Sequence, residues 1–487
     1  MLLLLSACAV GPDYVKPDIE TPGAFKEALG WKQAQPQDEF KRNDWWKAFD
    51  DNDLNDLEAQ VNISNQNIKV AEAQYAQAQA LVKEAQAAFF PVGTMTAGET
   101  RSKSKTGSVG NLYSASLGAS WEPDFWGKIR REVEASEASA EASAADLESA
   151  KLSAQATLAI DYLQLRVVDA QKRTLDNAVA DYEKSLKLTQ NQYDVGVAAR
   201  SDVVQAQTIL ETTQAQAIDV GVARAQLEHA IALLIGKSPA DFSLAPVDSV
   251  PSVPEIPVSV PSAILERRPD IAAAERLAAA ANAQIGVAEA AFFPDITLSA
   301  SGGFENNSFA HLFTIPNRIW SIGPQIAETI FDAGLRSAQT DAAIAAYDQA
   351  VATYRQTVLG GFQEVEDNLA ALRIYEQEAK AQHEAVLSSE KEVDITLNQY
   401  KAGTVSYLNV IVAQTTALSN ERSELTIEGQ RLTAAATLIK ALGGGWNAPV
   451  AEPSPIPIRA ETDDELCEID HLGQQQFYLL NPVELKH

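Results

Sequence analysis

Cysteine and methionine are scarce in this chain of 487 residues, which contains two of each. The cysteines are Cys8 and Cys467, and the methionines are Met1 and Met95. A chain with so few thiols must obtain its stability from packing and assembly and not from a disulfide framework. The shortage of methionine also excludes a relay of thioether side chains for soft metal ions.

Histidine is scarce as well, with five residues that are scattered along the chain. None of them stands in a Ser/His/Asp arrangement or at a metal-ligand spacing. Cys467 and His471 are four residues apart, but a metal site needs more ligands than these two. Gly443-Gly444-Gly445 follows a helical pattern and precedes no second helix, so it indicates a helix stop and not a phosphate loop. We therefore expect no enzymatic activity, no catalytic residue, no cofactor and no metal site.

Positive charge is in deficit, because 38 Lys and Arg residues face 66 Asp and Glu residues and give a net charge of −28. A charge of this sign disfavours nucleic acid and anionic lipid headgroups as partners. Long apolar runs are also missing, since no stretch approaches the roughly 20 residues of a membrane-spanning helix. Any insertion into a membrane would therefore have to occur through strands.

The chain does contain a long pattern that occurs twice. Phe125–Arg130 (FWGKIR) recurs as Phe331–Arg336 (FDAGLR), and Asn191–Gly196 (NQYDVG) recurs as Asn398–Gly403 (NQYKAG). A Phe-Phe-Pro turn that ends at Pro91 recurs at Pro294. The repeat of roughly 200 residues is far longer than a solenoid unit, so the sequence indicates a duplicated half-molecule.

Each copy contains one very long helix followed by a shorter return helix. Positions 175, 179, 182, 186, 189 and 193 form a seam with steps of four and three, which is typical of coiled-coil packing. About 68 residues from Gly127 to Tyr193 give a rod of about 100 Å. The rods stop at Gly196 and Gly403, and we expect return helices from Asp202 and from Asn409. Further helices at 54–88 and 261–291 have the right length to continue the stack.

Strand patterns occupy the gap between helices in each copy. Apolar and small polar residues alternate strictly from Tyr113 to Trp121 and from Trp320 to Ala327. The expected strands are residues 92–100, 112–122, 295–305 and 319–330. Four strands cannot close a membrane barrel. Two chains would supply eight strands and three would supply twelve, and the small inward residues favour three. The alternative is that ordinary hairpins cap a soluble helical bundle.

The N-terminus is typical of a truncated signal peptide, residues 1–7, before a lipobox. Leu5-Ser6-Ala7-Cys8 has the apolar, small, small, Cys order that makes Cys8 a lipidation candidate, and the alternative is an unmodified thiol. The divisions that follow are a lipid-anchored tether (8–50), the first repeat (51–236), a Pro-rich linker (237–261), the second repeat (262–443) and a C-terminal segment with a tail (444–487). The linker and the C-terminal segment occupy equivalent positions and suggest a belt around the rods.

Together these motifs resemble a known family. The lipobox and its continuation to Pro17, the Trp45-Trp46-x-x-Phe49 and Leu54-x-x-Leu57 motifs, Arg267-Arg268-Pro269-Asp270-Ile271, and the two Phe-Phe-Pro turns are similar to those of the outer membrane factors. These are the TolC-like channels, and the lipobox points to the lipoprotein branch of the OprM/NodT type. The resemblance covers nearly the full chain, although only the RRPDI stretch is specific alone.

The resemblance implies a mainly α-helical fold with a small membrane β part. Long coiled-coil hairpins would form an α-barrel, and four strands per chain would contribute to a 12-stranded β-barrel of a homotrimer in the outer membrane. The implied function is the exit duct of a tripartite efflux pump that conducts small molecules passively. The implied partners are a periplasmic adaptor, an inner-membrane transporter of the resistance-nodulation-division type, and outer membrane lipid.

The resemblance also places docking and gating at the hairpin tips, where the adaptor-contacting residues would be Gly196, Val197, Gly403 and Thr404. Related ducts carry aspartate rings on the second return helix, but this chain has Asn409 and Val412 at the matching positions. The remaining gate candidates near the tip are Arg200, Asp202, Tyr400 and Lys401. A closed gate held by these charges, with Tyr400 packing, is one hypothesis; the alternative is that Asp202 only favours its helix start and Tyr400 only fills the seam.

Two other functions fit part of the pattern. A soluble periplasmic coiled-coil adaptor would explain the rods but not the strand hairpins in each copy. Within the duct interpretation, protein secretion of type I and metal-ion efflux remain alternatives to drug efflux.

Overall fold

The computed structural model describes residues 9–28, 44–103, 107, 109–247, 249–256 and 267–444. The signal segment, Cys8, Cys467 and the tail from residue 445 lie outside the described residues. Seven α-helices and four strands occur in the described part of the chain, in the order α1, α2, β1, β2, α3, α4, α5, β3, β4, α6 and α7. Their bounds are α1 Asn52–Ser64, α2 Gln66–Ala87, β1 Val92–Lys103, β2 Val109–Trp121, α3 Lys128–Asp194, α4 Arg200–Leu234, α5 Pro269–Ala290, β3 Asp295–Asn306, β4 Arg318–Ala327, α6 Leu335–Lys401 and α7 Tyr407–Ala441.

The duplication in the sequence is a duplication in the structure. The long helices α3 and α6 have 67 residues each, and the return helices α4 and α7 have 35 residues each. A helix of 67 residues is about 100 Å long. Both long helices start after a glycine with positive φ, Gly127 or Gly334, and an aspartate just upstream accepts hydrogen bonds from the first turn in each copy.

The helix expected at 54–88 is in fact two helices, because the chain breaks at Asn65. Asn65 is extended, with φ −63° and ψ 123°, and its side-chain oxygen accepts from the backbone N–H groups of Asn67 and Ile68. Its side-chain amide donates to Leu234 O, the last residue of α4, at 2.8 Å. The break therefore caps α2 and places it on the end of α4, so that the two form one interrupted rod.

The second copy stacks its short helices in the same way. Arg268, at the N-cap position of α5, donates to Ala441 O at the end of α7. Gly443 has φ +91°, and a Cβ there would lie 2.1 Å from Arg267 O. Only glycine fits this turn, because a side chain would collide with backbone. The sequence placed the start of this helix at residue 261, whereas α5 begins at Pro269; residues 261–266 lie outside the described residues.

The four strands form one antiparallel sheet in the order β1-β2-β3-β4. β1 pairs with β2 from Val92 opposite Ser120 to Lys103 opposite Val109. β2 pairs with β3, so one sheet joins the two copies, and β3 pairs with β4. β1 and β2 extend three residues further into their hairpin than expected, because ladder hydrogen bonds continue beyond the side-chain alternation, whereas β4 ends at Ala327, three residues before the expected end.

The main core lies where the two copies meet at mid-height of the long helices. Trp45, Trp46 and Phe49 are almost fully buried there, together with the buried face of α1 and parts of α3, α6 and α7. A buried ionic network crosses this region: Arg166 donates to Asp53 and to Ala245 O, and Asp169 accepts from Arg224. The core therefore fixes the first repeat to the segment that follows α4.

No helix in the described ranges combines the length and the apolar character that a membrane crossing requires.

Candidate functional site

The sheet presents one apolar face to its surroundings. Met95, Leu117 and Trp320 lie in one cross-strand row, since Met95 pairs with Leu117 and Gly302 pairs with both Leu117 and Trp320. These large side chains are strongly exposed in the single chain, at 77%, 65% and 73%. Ile322 and Ile326 continue the same face on β4 and are also exposed. An apolar patch of this kind marks a surface that meets lipid or another chain.

The opposite face of the sheet is polar and small. Thr96 and Ser116 are hydrogen-bonded across β1 and β2 at 2.8 Å, and Ser301 and Ser321 across β3 and β4 at 2.8 Å. The pattern of apolar on one face and hydroxyl or glycine on the other is the pattern of strands between lipid and water. The sequence signal for it was strong in β2 and β4 and weak in β1.

Four helices below the sheet enclose an open cavity. α4, α3, α7 and α6 lie side by side in this order, because α3 contacts α4 and α7, and α7 contacts α6. The cavity between them has a volume of about 800 Å³ and is called here the large cavity. Its polar lining consists of amides and hydroxyls, among them Gln164, Gln171, Gln226, Asn368, Gln430 and Thr433.

The large cavity opens on the face of α3 that points away from the neighbouring chain segments. Arg166 of α3 donates to Ala245 O in the segment after α4 at 2.9 Å, so this side of the helix is covered. Gln164 and Val168 line the cavity. They lie about 160° from Arg166 around the helix axis at roughly 100° per residue. The cavity side of α3 is therefore opposite to its covered side.

The second copy gives the same result independently. Glu366 of α6 accepts hydrogen bonds from the backbone N–H groups of Lys26 and Glu27, at 2.7 and 2.9 Å. Asn368 and Tyr375, which line the cavity, lie about 160–180° from Glu366 around the axis. The N-terminal segment and the segment after α4 thus cover one side of the four-helix wall, and the large cavity faces the other side.

The cavity side of the wall carries little charge. None of the residues that line the large cavity is ionisable apart from the phenol of Tyr375. On α7 the charged residues Glu421, Glu424, Glu428 and Arg431 lie about 140–220° from Thr426, the cavity-lining position, whereas Arg422 and Lys440 lie about 40° from it. Asp161 of α3 is in line with Val168, and burial raises the pKa of its carboxyl to about 6. Such a wall is suited to contact with solutes that it does not bind tightly.

A second, smaller cavity of about 370 Å³ lies next to the large one, between α4 and α7. The two cavities share Thr426 in their lining, and the second is called here the small cavity. The small cavity is lined mainly by threonine, serine and apolar side chains, and Arg422 is the charged residue among its described lining. This stripe of Gln, Asn and Thr side chains was not predicted from the sequence, although the helical spacing of its members on α7 can be recognised there.

The hairpin tips have the geometry that the glycines predict. Gly196 and Gly403 have φ values of +83° and +73°, and the next residues donate back to Gln192 O and Gln399 O. Val197 is 70% exposed at the first tip, and Thr404 is exposed at the second. The backbone groups of each turn are therefore satisfied by hydrogen bonds within the turn, and the side chains at both tips are exposed to solvent.

A pair of buried tyrosines joins the two hairpins near the tips. Tyr400 of α6 and Tyr407 of α7 have ring centroids 5.2 Å apart, and they pack with Ala206 of α4 and Val410 of α7. The Tyr400 hydroxyl reaches Thr189 of α3 at 3.5 Å. Burial raises the pKa of Tyr407 to about 12, so its phenol stays neutral and packs as a core group. Tyr407 was not identified from the sequence.

The charged gate candidates are not brought together within one chain. Asp202 accepts from the backbone N–H of Ala199 at 3.3 Å, so it caps the start of α4, which begins at Arg200 and not at Asp202. Arg200 and Lys401 are exposed, and no ion pair joins either of them to Asp202 in the described part of the chain. Asn409 and Val412 are exposed on α7. Arg200, Lys401, Asn409 and Val412 thus present exposed side chains near the tips.

The described start of the tether, residues 9–20, is held just below the sheet by hydrogen bonds and close packing. Val10 N donates to Trp126 O, and the guanidinium of Arg131 donates to Val10 O, Gly11 O and Asp13. Gly11 lies against Gly286, where a Cβ on Gly11 would be 2.4 Å from Gly286 Cα. The tether therefore begins at the junction between β2 and α3.

Comparisons with known proteins agree on one family. Residues 58–237 and 260–444 match the model of a family described as outer membrane efflux protein. The toluene efflux pump outer membrane protein TtgC of Pseudomonas putida is 31% identical over 453 residues, 91% of this chain and 94% of the relative. The pyoverdine export outer membrane protein OpmQ of Pseudomonas aeruginosa is 30% identical over 464 residues, 92% of this chain and 96% of the relative.

A solved structure shows the same fold. The outer-membrane channel OprN superposes with a TM-score of 0.85 at 31% identity, over 91% of this chain and 100% of that chain. The resemblance and the fold class that the sequence predicted are thus confirmed. The two-faced sheet, the paired long helices and the family match lead to one conclusion: this chain is a member of the outer membrane efflux protein family.

Proposed function

We propose that three copies of this chain form one outer membrane duct whose inner surface is the cavity side of the four-helix wall. The observation that carries this proposal is the agreement of both copies: chain segments cover one side of α3 and of α6, and the weakly charged cavity lies on the other side. Four strands per chain cannot close without partners, and twelve strands leave a bore that eight do not. The exposed apolar face of the sheet would then meet lipid.

The proposed cargo is small and uncharged or weakly charged, and toluene, the solute in the name of TtgC, is of this kind. The duct itself performs no chemical step, and a resistance-nodulation-division transporter coupled through a periplasmic adaptor would supply the energy. A cell that lacks its own outer membrane efflux channel should regain resistance to a neutral organic solvent when this chain is expressed. Growth at the same solvent concentration as the empty vector would overturn the proposal, provided that the protein is found in the outer membrane.

Gating is proposed at the tips, where exposed Lys401 and Arg200 would pair with acidic groups of a neighbouring copy. Adaptor binding would open the tips by binding the open state more tightly. The exposed residues around Gly196, Val197, Gly403 and Thr404 would be the docking surface, while the pair Tyr400 and Tyr407 holds each hairpin pair together.

Reversal of the charge at Lys401 is expected to open the resting duct. A Lys401→Glu variant should show several-fold higher ionic conductance in planar bilayers and greater leakage of drugs into cells, because a tip contact is lost. Lys391→Glu is the matched control, since it is exposed on the same helix about 15 Å from the tip. Conductance and leakage that match those of the control would remove Lys401 from the gate.

The tether supports lipid anchoring at Cys8. Ala9 lies against Gly127, which directly precedes the first residue of α3. Ala9, the first described residue, therefore lies at the base of the sheet, next to the leaflet that the apolar face would contact.

Substitution at Gly286 is expected to release the tether. A Cβ at Gly286 would lie 2.9 Å from Val10 O and 2.8 Å from Arg131 Cγ, so Gly286→Ala forces the clamp apart. Hydrogen exchange of the Val10 amide, which donates to Trp126 O, should accelerate at least tenfold. Gly221→Ala is the control, because its Cβ would meet open space. Equal exchange in both variants would show that the close contact does not hold the tether.

A further inference from the structure

Arg422 is a half-buried cation in the wall of the small cavity. It lies on α7 and lines the small cavity, where its Nη1 donates to Gln216 Oε1 of α4 at 3.2 Å. No carboxylate lies within ion-pair distance of Arg422 in the described ranges, whereas Arg431, nine residues further along α7, pairs with Glu428 at 2.7 Å. Arg422 therefore keeps most of its five N–H donors available for another acceptor.

The position of Arg422 is not imposed by the repeat. α4 and α7 correspond at a shift of 207 residues, so the equivalent of Arg422 in the first copy is Ala215. The same helical hairpin is thus built without a cation in one copy and with a cation in the other. Packing alone does not explain why a guanidinium stands on this side of the helix.

The surroundings of Arg422 fit the polar end of an amphipathic ligand. Thr213 and Ser419 supply hydroxyls in the small cavity, and Thr426, one turn further along α7, lines both cavities. Beyond Thr426 the large cavity offers apolar surface at Val167, Leu227 and Ala434 together with neutral amides. A volume of about 800 Å³ is within the range of sites for drug-sized molecules.

We propose that the two cavities form a transient binding site for small amphipathic organic anions, with a carboxylate at Arg422 and an apolar ring in the large cavity. The inference rests on the proposed function, since it requires that this side of the wall meets the permeating solute. A guanidinium and a carboxylate form charge-assisted hydrogen bonds that are roughly twice as strong as neutral ones. The rest of the lining of the two cavities carries no charged side chain, so an anion would gain its specific contact at Arg422 and leave without a second one.

The test compares two probes of equal shape, 1-naphthoate and 1-naphthamide, on the full chain in lipid nanodiscs. Equilibrium dialysis against each probe is expected to show about tenfold tighter binding of the carboxylate by the unmodified protein. Arg422→Gln should reduce naphthoate binding about tenfold, to the level of naphthamide, and Arg422→Lys should restore part of the difference. Arg431→Gln, on the opposite side of the same helix, should leave both affinities unchanged.

Two results would overturn this site. Equal binding of the two probes by the unmodified protein would show that Arg422 does not recognise a carboxylate, and equal losses in Arg422→Gln and Arg431→Gln would show a general effect of net charge. Single-channel recordings on the same preparations separate this failure from failure of the duct. A protein that conducts ions but does not distinguish the probes loses the binding site only, whereas a protein that conducts no current loses the duct.

Discussion

Replacement of Arg166 with alanine is expected to lower the free energy of unfolding by about 3–5 kcal/mol. Arg166 is 1% exposed, and its guanidinium donates to Asp53 and Ala245 O and lies 4.6 Å from the ring centre of Tyr162. The substitution leaves Asp169, whose side chain is only 3% exposed, with one cation fewer at the centre of the core. Removal of one partner from a buried ion network costs far more than the network contributes to stability.

Denaturant unfolding of the detergent-solubilised protein, followed by circular dichroism, measures this loss. Lys184→Ala is the control, because Lys184 forms an exposed i,i+3 pair with Asp181 on the same helix. Such exposed surface pairs contribute little to stability, because solvent screens their attraction. If both variants unfold at the same denaturant concentration, the buried network is not what joins the linker to α3.

Replacement of Glu58 with leucine is expected to stabilise the protein by several kcal/mol at neutral pH. Glu58 of α1 is 0% exposed, and neither carboxyl oxygen has a hydrogen-bond partner. Burial raises the pKa of this carboxyl well above its ordinary value. The folded protein must therefore keep Glu58 protonated, or hold an unpaired charge in the core, while the unfolded chain ionises it freely.

The sign of the pH dependence follows from this shift. A group whose pKa is raised on folding supports the folded state below the unfolded pKa, about 4.3 for glutamate, and this support is lost as pH rises toward the folded pKa. The stability difference between Glu58→Leu and the unmodified protein should thus widen by up to about 1.4 kcal/mol for each pH unit between the unfolded pKa and the folded pKa.

Thermal unfolding from pH 4.5 to 7.5 tests this dependence, with Glu58→Gln as the matched variant. The amide has the same shape but does not titrate, so Glu58→Gln should follow the pH slope of Glu58→Leu. A constant difference between the unmodified protein and both variants across this range would show that Glu58 is not a buried acid in the folded chain.

Local patterns predicted the parts of the fold that depend on local sequence. The seam around Leu175 and Tyr182 predicted a long helix, because seam packing repeats within a few turns. Strict alternation predicted β2 and β4. β1 alternates weakly, yet it pairs along its full length, because its backbone hydrogen bonds to β2 do not depend on side-chain pattern.

The break at Asn65 could not be predicted, because asparagine occurs both inside helices and at caps. What decides its conformation is Leu234 O, a group 169 residues away in sequence that accepts from its side chain. Glu58 has the same explanation: in sequence it is an ordinary acid in a polar helix. Only the tertiary packing around α1 removes it from water.

The candidate site likewise contains parts that local sequence predicted and parts that depend on distant segments of the chain. The tip glycines were predicted from their sequence pattern, and their positive φ values show why glycine stands there. Asp202 has a local role, since it caps its own helix α4, whereas the role of Tyr400 depends on Tyr407 in another helix. The inner wall was not predicted, because which side of α3 and α6 is covered is determined by segments far away in sequence.

Cysteine accessibility in planar bilayers tests the central claim most directly. Gln430 lines the large cavity, and Glu428 lies about 160° away on the same helix α7. In a Cys467→Ser background, Gln430→Cys should carry an ionic current that falls when a bulky charged thiol reagent is added, and Glu428→Cys should carry a current that does not change. Equal responses at the two positions, or no current from either protein, would contradict the assignment of this side of the wall to the inside of a duct.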